Sequence, residues 1–481
     1  MERRGLTINK KIFLYIMIII SILLLAPSIV YIITNRTVSG FNKYYTYTLT
    51  NDLTEEMHGI IVIGLVLLYS ITYFLVIKYE KNIFNNRIKD ILKFIIIISF
   101  IFMLILPFFS SDIYYYIGDS WISSKYKENP YYTTVSDLQE QGINDEILSN
   151  TGYWKNTTSV YGPLYNSIAK LLVSLSFGNL TLALLIFKIA SFLVHILNCY
   201  IIYKITQNTK YALIYGLNPL VTIELLSNVH NDIYLILFIL LAIYFLVRLK
   251  NIPFTIIFLA LSISIKYSSV LIVPFVLLYI FRKRSIPKRI LYCILTGLSI
   301  IGIVVILYLP YFKDITVFTN MLVQNSRLSQ SIMLVLKENL NQSIYTRINN
   351  IRLPIYAILY ITSLICILFK KNISMKFIMK SYNFILLIFI FFVLTNFQKW
   401  YILWLLPTII WQNKYMRKFI LALTVTAIIP SWNYFIEGTD YWKEGIYYSV
   451  EMIAMSATYI AIISIITILR RYMIKRKTLR T

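Results

Sequence analysis

The chain has 481 residues, 58% of them hydrophobic, and a mean hydropathy of +0.70. Soluble chains of this size are closer to half apolar, so the composition argues against a soluble enzyme. The formal net charge of +25 invites a nucleic-acid reading, which the placement of the charges argues against.

Apolar segments fall at about 12–33, 60–77, 94–109, 181–203, 211–228, 233–248, 253–265, 268–280, 290–310, 353–369, 377–395, 400–412, 418–434 and 447–469. Runs of about 16–23 apolar residues match the roughly 30 Å hydrocarbon core of a bilayer. The pattern predicts an all-α polytopic transmembrane bundle of about 12–14 spans. The segments at 253–265 and 400–412 are short, as expected of tilted pairs, half-helices or re-entrant elements. The first segment follows two arginines but lacks a small-x-small cleavage site, so it reads as a retained first helix. The cysteines Cys199, Cys293 and Cys366 each lie in an apolar run without CxxC spacing, giving neither a disulfide framework nor a zinc site.

With the N-terminus in the cytoplasm, the basic loops 78–93, 204–210, 248–250, 281–289, 370–380 and 413–418 and the tail 470–481 all fall inside, as the positive-inside rule requires. The surplus charge is then topological. Most acids fall on the opposite face, where the large loop 110–180 and a second loop, 311–352, are expected. Residues 164–177 read as an interfacial amphipathic helix on that face. The whole chain, 1–481, reads as a single integral membrane domain of the plasma membrane, with both termini cytoplasmic.

Asp112 follows the third span directly, and Asp119 lies two helical turns later, on the same face about 10 Å away. The pair suits one general base and one substrate-positioning acid, or two ordinary loop acids. Glu224, Asn228, His230, Asn231 and Asp232 cluster at the end of the fifth span. They read as a functional group or as a polar helix end, and a Glu within a span favours function. Lys266 stands alone between two short spans and suits a phosphate or simple snorkelling. Lys399, Trp400, Tyr401 and Trp404 form either an interfacial aromatic belt or a platform for sugar and phosphate. Arg327 is a further candidate for an external phosphate. Lys188 and His195 share a face of the fourth span and carry no assignment. There is no Walker A loop, GxSxG or HExxH.

Together these pieces resemble the GT-C glycosyltransferases, in particular the polyprenyl-phosphate-mannose-dependent, mannosyltransferase-like branch of bacteria and archaea. Asp112-Ile113-Tyr114-Tyr115-Tyr116-Ile117-Gly118-Asp119 with Asn129-Pro130-Tyr131 resembles that branch's first external loop. Tyr161-Gly162-Pro163-Leu164, Asn218-Pro219 with Glu224 and His230-Asn231-Asp232, Lys266, and Trp400-Tyr401-x-x-Trp404-x-x-Pro407 resemble its later segments, in order. Ser120-Trp121 departs from the branch's usual Gly-Arg.

The resemblance implies a hexosyltransferase, mannose being the expected sugar, that uses a polyprenyl-phosphate donor and a glycan or glycolipid acceptor outside the cytoplasm. Asp112 would be the catalytic base. Asp119, Tyr161, Glu224, His230, Asp232, Lys266, Lys399, Trp400 and Tyr401 would bind substrate. Neither a metal nor another cofactor is implied, and the partners are lipids and glycans rather than nucleic acid. The rival classes are a polysaccharide flippase or transporter, expected to show internal repeats, and an envelope-glycan polymerase or ligase, expected to carry its large loop late.

Overall fold

A computed structural model describes residues 10–35, 55–318 and 327–429. The expected span 447–469, the basic tail, residues 36–54 and part of the 311–352 loop lie outside the described residues. Among the described residues all regular structure is helical, and one isolated bridge joins Ser329 and Asn396. The longer helices are α1 (Ile12–Asn35), α2 (Glu55–Lys78), α3 (Ile88–Leu104), α4 (Asp112–Ser124), α5 (Pro163–Ser174), α6 (Leu180–Thr206), α7 (Asp232–Tyr244), α8 (Ile252–Ile263), α9 (Ile286–Tyr308), α10 (Gln342–Phe369), α11 (Met375–Ile388) and α12 (Lys414–Thr426).

Seven helices among the described residues are long and apolar enough to cross a membrane: Ile12–Ile33, Ile60–Lys78, Leu180–Thr206, Asp232–Leu249, Ile286–Tyr311, Gln342–Phe369 and Met375–Val393. They form an all-α polytopic bundle. α1 packs on α2 and α3, α6 on α3 and α7, and α7 on α8. α9 and α10 turn apolar faces outward: Leu298, Ile301, Ile306 and Ile358 are all well exposed. In water each such side chain would forfeit about 1.5–3 kcal/mol of burial energy. A ring of them is stable where the surroundings are lipid.

Two of the expected spans are broken elements. The 211–228 segment is a helix, Thr209–Gly216, then a turn capped by Asn218 ahead of Pro219, then a π-turn, Thr222–Ser227. Asn218 Oδ1 accepts from the backbone N–H of Leu220 and Val221, and its Nδ2 donates to Thr424 Oγ1 at 2.9 Å. The 400–412 segment is a buried 3-10 helix, Lys399–Trp411. Pro407, which has no N–H to give, sits inside it. α10 begins at Gln342, ahead of the expected 353.

Lys188 of α6 lies in the bundle interior. Its Nζ donates to the carbonyls of Ile105 (2.6 Å), Ser227 (2.8 Å) and Leu226 (3.4 Å). Helix ends leave carbonyls without partners, and this ammonium satisfies those where α3 and the π-turn stop. His195, two turns along the same face, meets the Gly216 carbonyl at 3.2 Å.

The segment from Phe108 to Ser176 caps one end of the bundle. α4 and α5 pack on each other there. α5 starts with Gly162 at its N-cap and Pro163 in its first turn. Its unpaired N–H groups meet the end of α8: Gly162 N donates to Ile265 O at 3.1 Å and Leu164 N to Ser264 O at 3.0 Å. The start of one helix and the end of another thus satisfy each other, and the chain opens into an extended Lys266 beside them. The contact requires glycine, since a Cβ at Gly162 would stand 2.2 Å from Ser264 O. Gly162→Ala is expected to destabilise the protein by about 1–3 kcal/mol, the usual cost of overpacking. A thermal unfolding curve in detergent checks this, and an unchanged midpoint would refute the end-to-end packing.

Candidate active site

A cavity of about 440 Å³ opens between the cap and the bundle. Asp112, Tyr115, Tyr116, Trp154, Thr157 and Tyr161 line it from the cap. Lys266, Tyr267, Val270 and Leu271 line it from the broken helix, and Trp400, Tyr401 and Trp404 from the 3-10 helix. Phe389 and Leu394 close one side. Of the expected site residues, the structure brings Asp112, Tyr161, Lys266, Trp400 and Tyr401 to this one space.

Asp112 occupies the first turn of α4, where the helix dipole favours a carboxylate. Its side chain is 18% exposed. Trp154 Nε1 donates to its Oδ1 at 3.2 Å, and His230 Nδ1 lies 3.7 Å from its Oδ2.

Behind the cavity wall lies a buried charge network. Glu224 Oε1 meets Lys399 Nζ at 3.1 Å and Glu224 Oε2 meets His230 Nε2 at 3.1 Å. Asn228 Nδ2 donates to Glu224 Oε2 at 2.9 Å, and Asn228 Oδ1 accepts from the N–H of Phe108 and Phe109. The His230 ring stacks on Trp400, centroids 3.6 Å apart, and its Nδ1 is 3.3 Å from Tyr116 OH. Val229 makes this possible by taking φ +59°. A β-branched residue pays for that left-handed turn in strain, and the turn brings His230 N back onto Glu224 O at 2.9 Å.

Lys266 is held by Asp232, with Nζ at 2.9 and 3.0 Å from its two carboxylate oxygens. Trp404 Nε1 also donates to Asp232. The Lys266 ammonium lies over the rings of Tyr401 (4.9 Å) and Trp404 (5.6 Å). Those rings stack on each other at 4.4 Å, because residues three apart eclipse in a 3-10 helix. Lys266 therefore reaches the cavity as an oriented cation backed by aromatic faces.

The remaining expected residues are placed otherwise. Glu224, His230 and Asp232 support the wall without lining the cavity. Lys399 is buried over the Phe109 ring, 4.4 Å to its centroid, and its charge is matched by Glu224. Asp119 shares a helix with Asp112 but is covered by the segment 151–159; Gly118, next to it, lies so close under Thr151 that a Cβ would stand 2.1 Å from Thr151 Oγ1. Burial raises the Asp119 carboxyl to about 8, partly offset by a hydrogen bond from Ser159. Arg327 stacks on Trp154, 4.3 Å to the centroid, and its Nη2 donates to Thr157 Oγ1 at 3.1 Å. Sequence reasoning missed Trp154, Tyr116 and the Val270, Leu271, Phe389 and Leu394 wall. Tyr116 stood in the 112–119 motif without being singled out, and the others gave no signal beyond an aromatic or apolar side chain in a chain full of both.

The charge network makes a first prediction. Lys399→Met leaves Glu224 buried with one cation fewer, and is expected to cost about 3–5 kcal/mol. Lys399→Met with Glu224→Gln is expected to recover part of that loss in thermal unfolding, because the uncompensated charge is gone. Asp119 makes a second. Its pKa is raised above the unfolded value near 4, so the native state retains a proton that the unfolded chain releases. Stability is therefore full below about pH 4 and falls as pH rises toward 8. Asp119→Asn, which keeps the shape of the neutral acid, is expected to fold and to gain on the wild type by a few kcal/mol between pH 5 and 8. Unfolding midpoints across that range check it, and parallel curves would refute it.

A family model described as alpha-(1->6)-mannopyranosyltransferase, N-terminal domain, matches residues 19–282. The match covers more than half of the chain and holds Asp112, Asp119, Tyr161, Glu224, His230, Asp232 and Lys266, while Lys399, Trp400 and Tyr401 lie beyond it. No curated protein and no solved structure matches. The apolar helices, the acid at the mouth of an aromatic cavity and the family match agree with one another: the chain belongs to this alpha-(1->6)-mannopyranosyltransferase family of GT-C type and is a membrane glycosyltransferase.

Proposed function

We propose that the protein takes mannose from a polyprenyl-phosphate carrier and attaches it to a hydroxyl of a glycan or glycolipid acceptor on the extracytoplasmic side of the membrane. The observation that carries this reading is the division of the cavity: Asp112 and Lys266 lie among aromatic rings, while Val270, Leu271, Phe389 and Leu394 form an apolar flank. A lipid-phosphate sugar has the same division. Its sugar suits aromatic faces, its phosphate suits a cation, and its tail suits a wall of aliphatic side chains. The family description names an α-(1→6) linkage, so the acceptor group is read as a primary sugar hydroxyl.

In this scheme Asp112 accepts the proton of the acceptor hydroxyl as its oxygen attacks C1 of the mannose. The C1–O bond to the phosphate breaks, and its electron pair leaves on the lipid phosphate. Lys266 balances the charge that develops there. A lipid phosphate is already a competent leaving group, so the scheme draws on protein cations rather than a metal. Tyr161, Trp400 and Tyr401 hold the sugar. Asp232 aims Lys266, and the Glu224, His230 and Lys399 network holds the wall.

The sidedness rests on charge. α3, α6, α7 and α8 each run between the Asp112 end of the bundle and an end bearing Lys or Arg, at Lys89 and Lys93, Lys204, Arg248 and Lys250. Basic ends tend to face the cytoplasm, which supports the reading that the cavity opens on the other side.

The test is a transfer assay in liposomes with radiolabelled polyprenyl-phosphate-mannose and an envelope-lipid acceptor. Wild type is expected to transfer label, and Asp112→Asn is expected to lose at least about 100-fold in rate while keeping its unfolding midpoint. Equal rates would remove Asp112 as the base. Transfer from GDP-mannose in place of the lipid donor would overturn the donor assignment.

A further inference from the structure

The base is not set by α4 alone. Asp112 has two oxygens in different surroundings: Oδ2 faces His230 Nδ1 at 3.7 Å, and Oδ1 accepts from the indole N–H of Trp154 at 3.2 Å. Trp154 belongs to a short 3-10 turn, Gly152–Asn156, in the cap. That turn is fastened from both sides. Tyr115 OH donates to Thr157 O at 3.2 Å, and Ser136 Oγ donates to Asn156 Oδ1. Arg327, from a distant part of the chain, lies against the indole at 4.3 Å and donates to Thr157 Oγ1 at 3.1 Å. The indole is thus gripped between a guanidinium and the cavity, with its one donor spent on the carboxylate.

We propose that Trp154 is a positioning residue for the mannosyl transfer: its indole N–H holds Asp112 Oδ1, so that Oδ2 is the oxygen left to take the acceptor's proton, and Arg327 holds the indole in place. The proposal rests on the reading of Asp112 as the base. A carboxylate turning about its own Cβ–Cγ bond presents either oxygen to the acceptor. One fixed by a hydrogen bond to Oδ1 presents the other in a single orientation, which is what an in-line attack needs. Trp154 therefore sets the direction of the base. The other titratable or charged groups facing Asp112 are His230, Tyr115, Tyr116, Tyr161, Tyr165 and Tyr401, with Lys266 across the cavity and Arg327 beyond the indole. All of them remain in the variants below except where named.

Trp154→Phe keeps a ring for Arg327 and removes only the donor. With polyprenyl-phosphate-mannose as donor it is expected to lower kcat about tenfold and to leave the donor KM within about twofold. Arg327→Met, which frees the indole, is expected to lower kcat by less, again with the donor KM unchanged, and it serves if Trp154→Phe does not fold. A wild-type kcat in the folded variant would overturn the proposal. So would a rise in donor KM as large as the loss in kcat, which would reveal a packing role. Asp112→Asn run alongside separates the two ideas: activity retained there sinks the base assignment itself, whereas an inactive Asp112→Asn beside an unaltered Trp154→Phe sinks only the role of Trp154.

Discussion

The site depends on one constraint: a charge taken out of water must meet its opposite. Glu224 and Asp232 are fully buried, and an unpaired carboxylate in such surroundings would cost several kcal/mol. Each finds a cation from a distant segment, Lys399 for Glu224 and Lys266 for Asp232. These pairings tie the fifth apolar segment to the broken helix at 264–266 and to the 3-10 helix at 399–411. The aromatic side chains follow from them. Trp400 stacks on the histidine that touches Glu224, and Trp404 shares Asp232 with Lys266. Ion pairs of this kind contribute little net stability against an apolar replacement. Their value here is to specify which segments meet and where one ammonium points.

The broken helices serve the same end. A continuous helix satisfies its own backbone and has nothing to offer a substrate. At Asn218, Val229, Lys266 and Lys399 the chain leaves helical geometry, and protein groups meet several of the backbone atoms that the breaks free. Lys188 serves the carbonyls near Leu226, and Asn218 caps its own turn. The start of α5 serves the end of α8. The breaks at Val229, Lys266 and Lys399 cluster at one end of the bundle, and that is where the cavity lies. Architecture and chemistry are linked on the proposed reading, since a membrane-lipid donor calls for polar groups at the depth where the sugar meets the bilayer surface.

Within that frame the two acids of α4 have parted company. Both sit on one helical face, as a seven-residue spacing dictates. One opens to the cavity at the helix's first turn, and the other is sealed beneath the cap, where burial favours its neutral form. The difference comes from which part of one segment lies over each of them, Trp154 beside the first and Thr151 and Ser159 over the second.

The sequence alone determined the class of the protein. Long apolar runs cannot form anything but helices in lipid, and that is a property of composition and order. It also marked Asp112, Tyr161, Lys266, Trp400 and Tyr401, since an acid, a lone cation and clustered aromatics at the ends of apolar segments stand out without knowledge of contacts. Only the tertiary structure decided how those residues divide the work. Lys266 and Lys399 are both isolated lysines beside apolar stretches, yet one reaches the cavity and the other is spent on Glu224. Trp154 had no pattern to betray it, because its importance lies in a hydrogen bond to a residue 42 positions away. Such pairings depend on how separate helices pack, and periodicity, which reports the face of one helix at a time, carries no record of them.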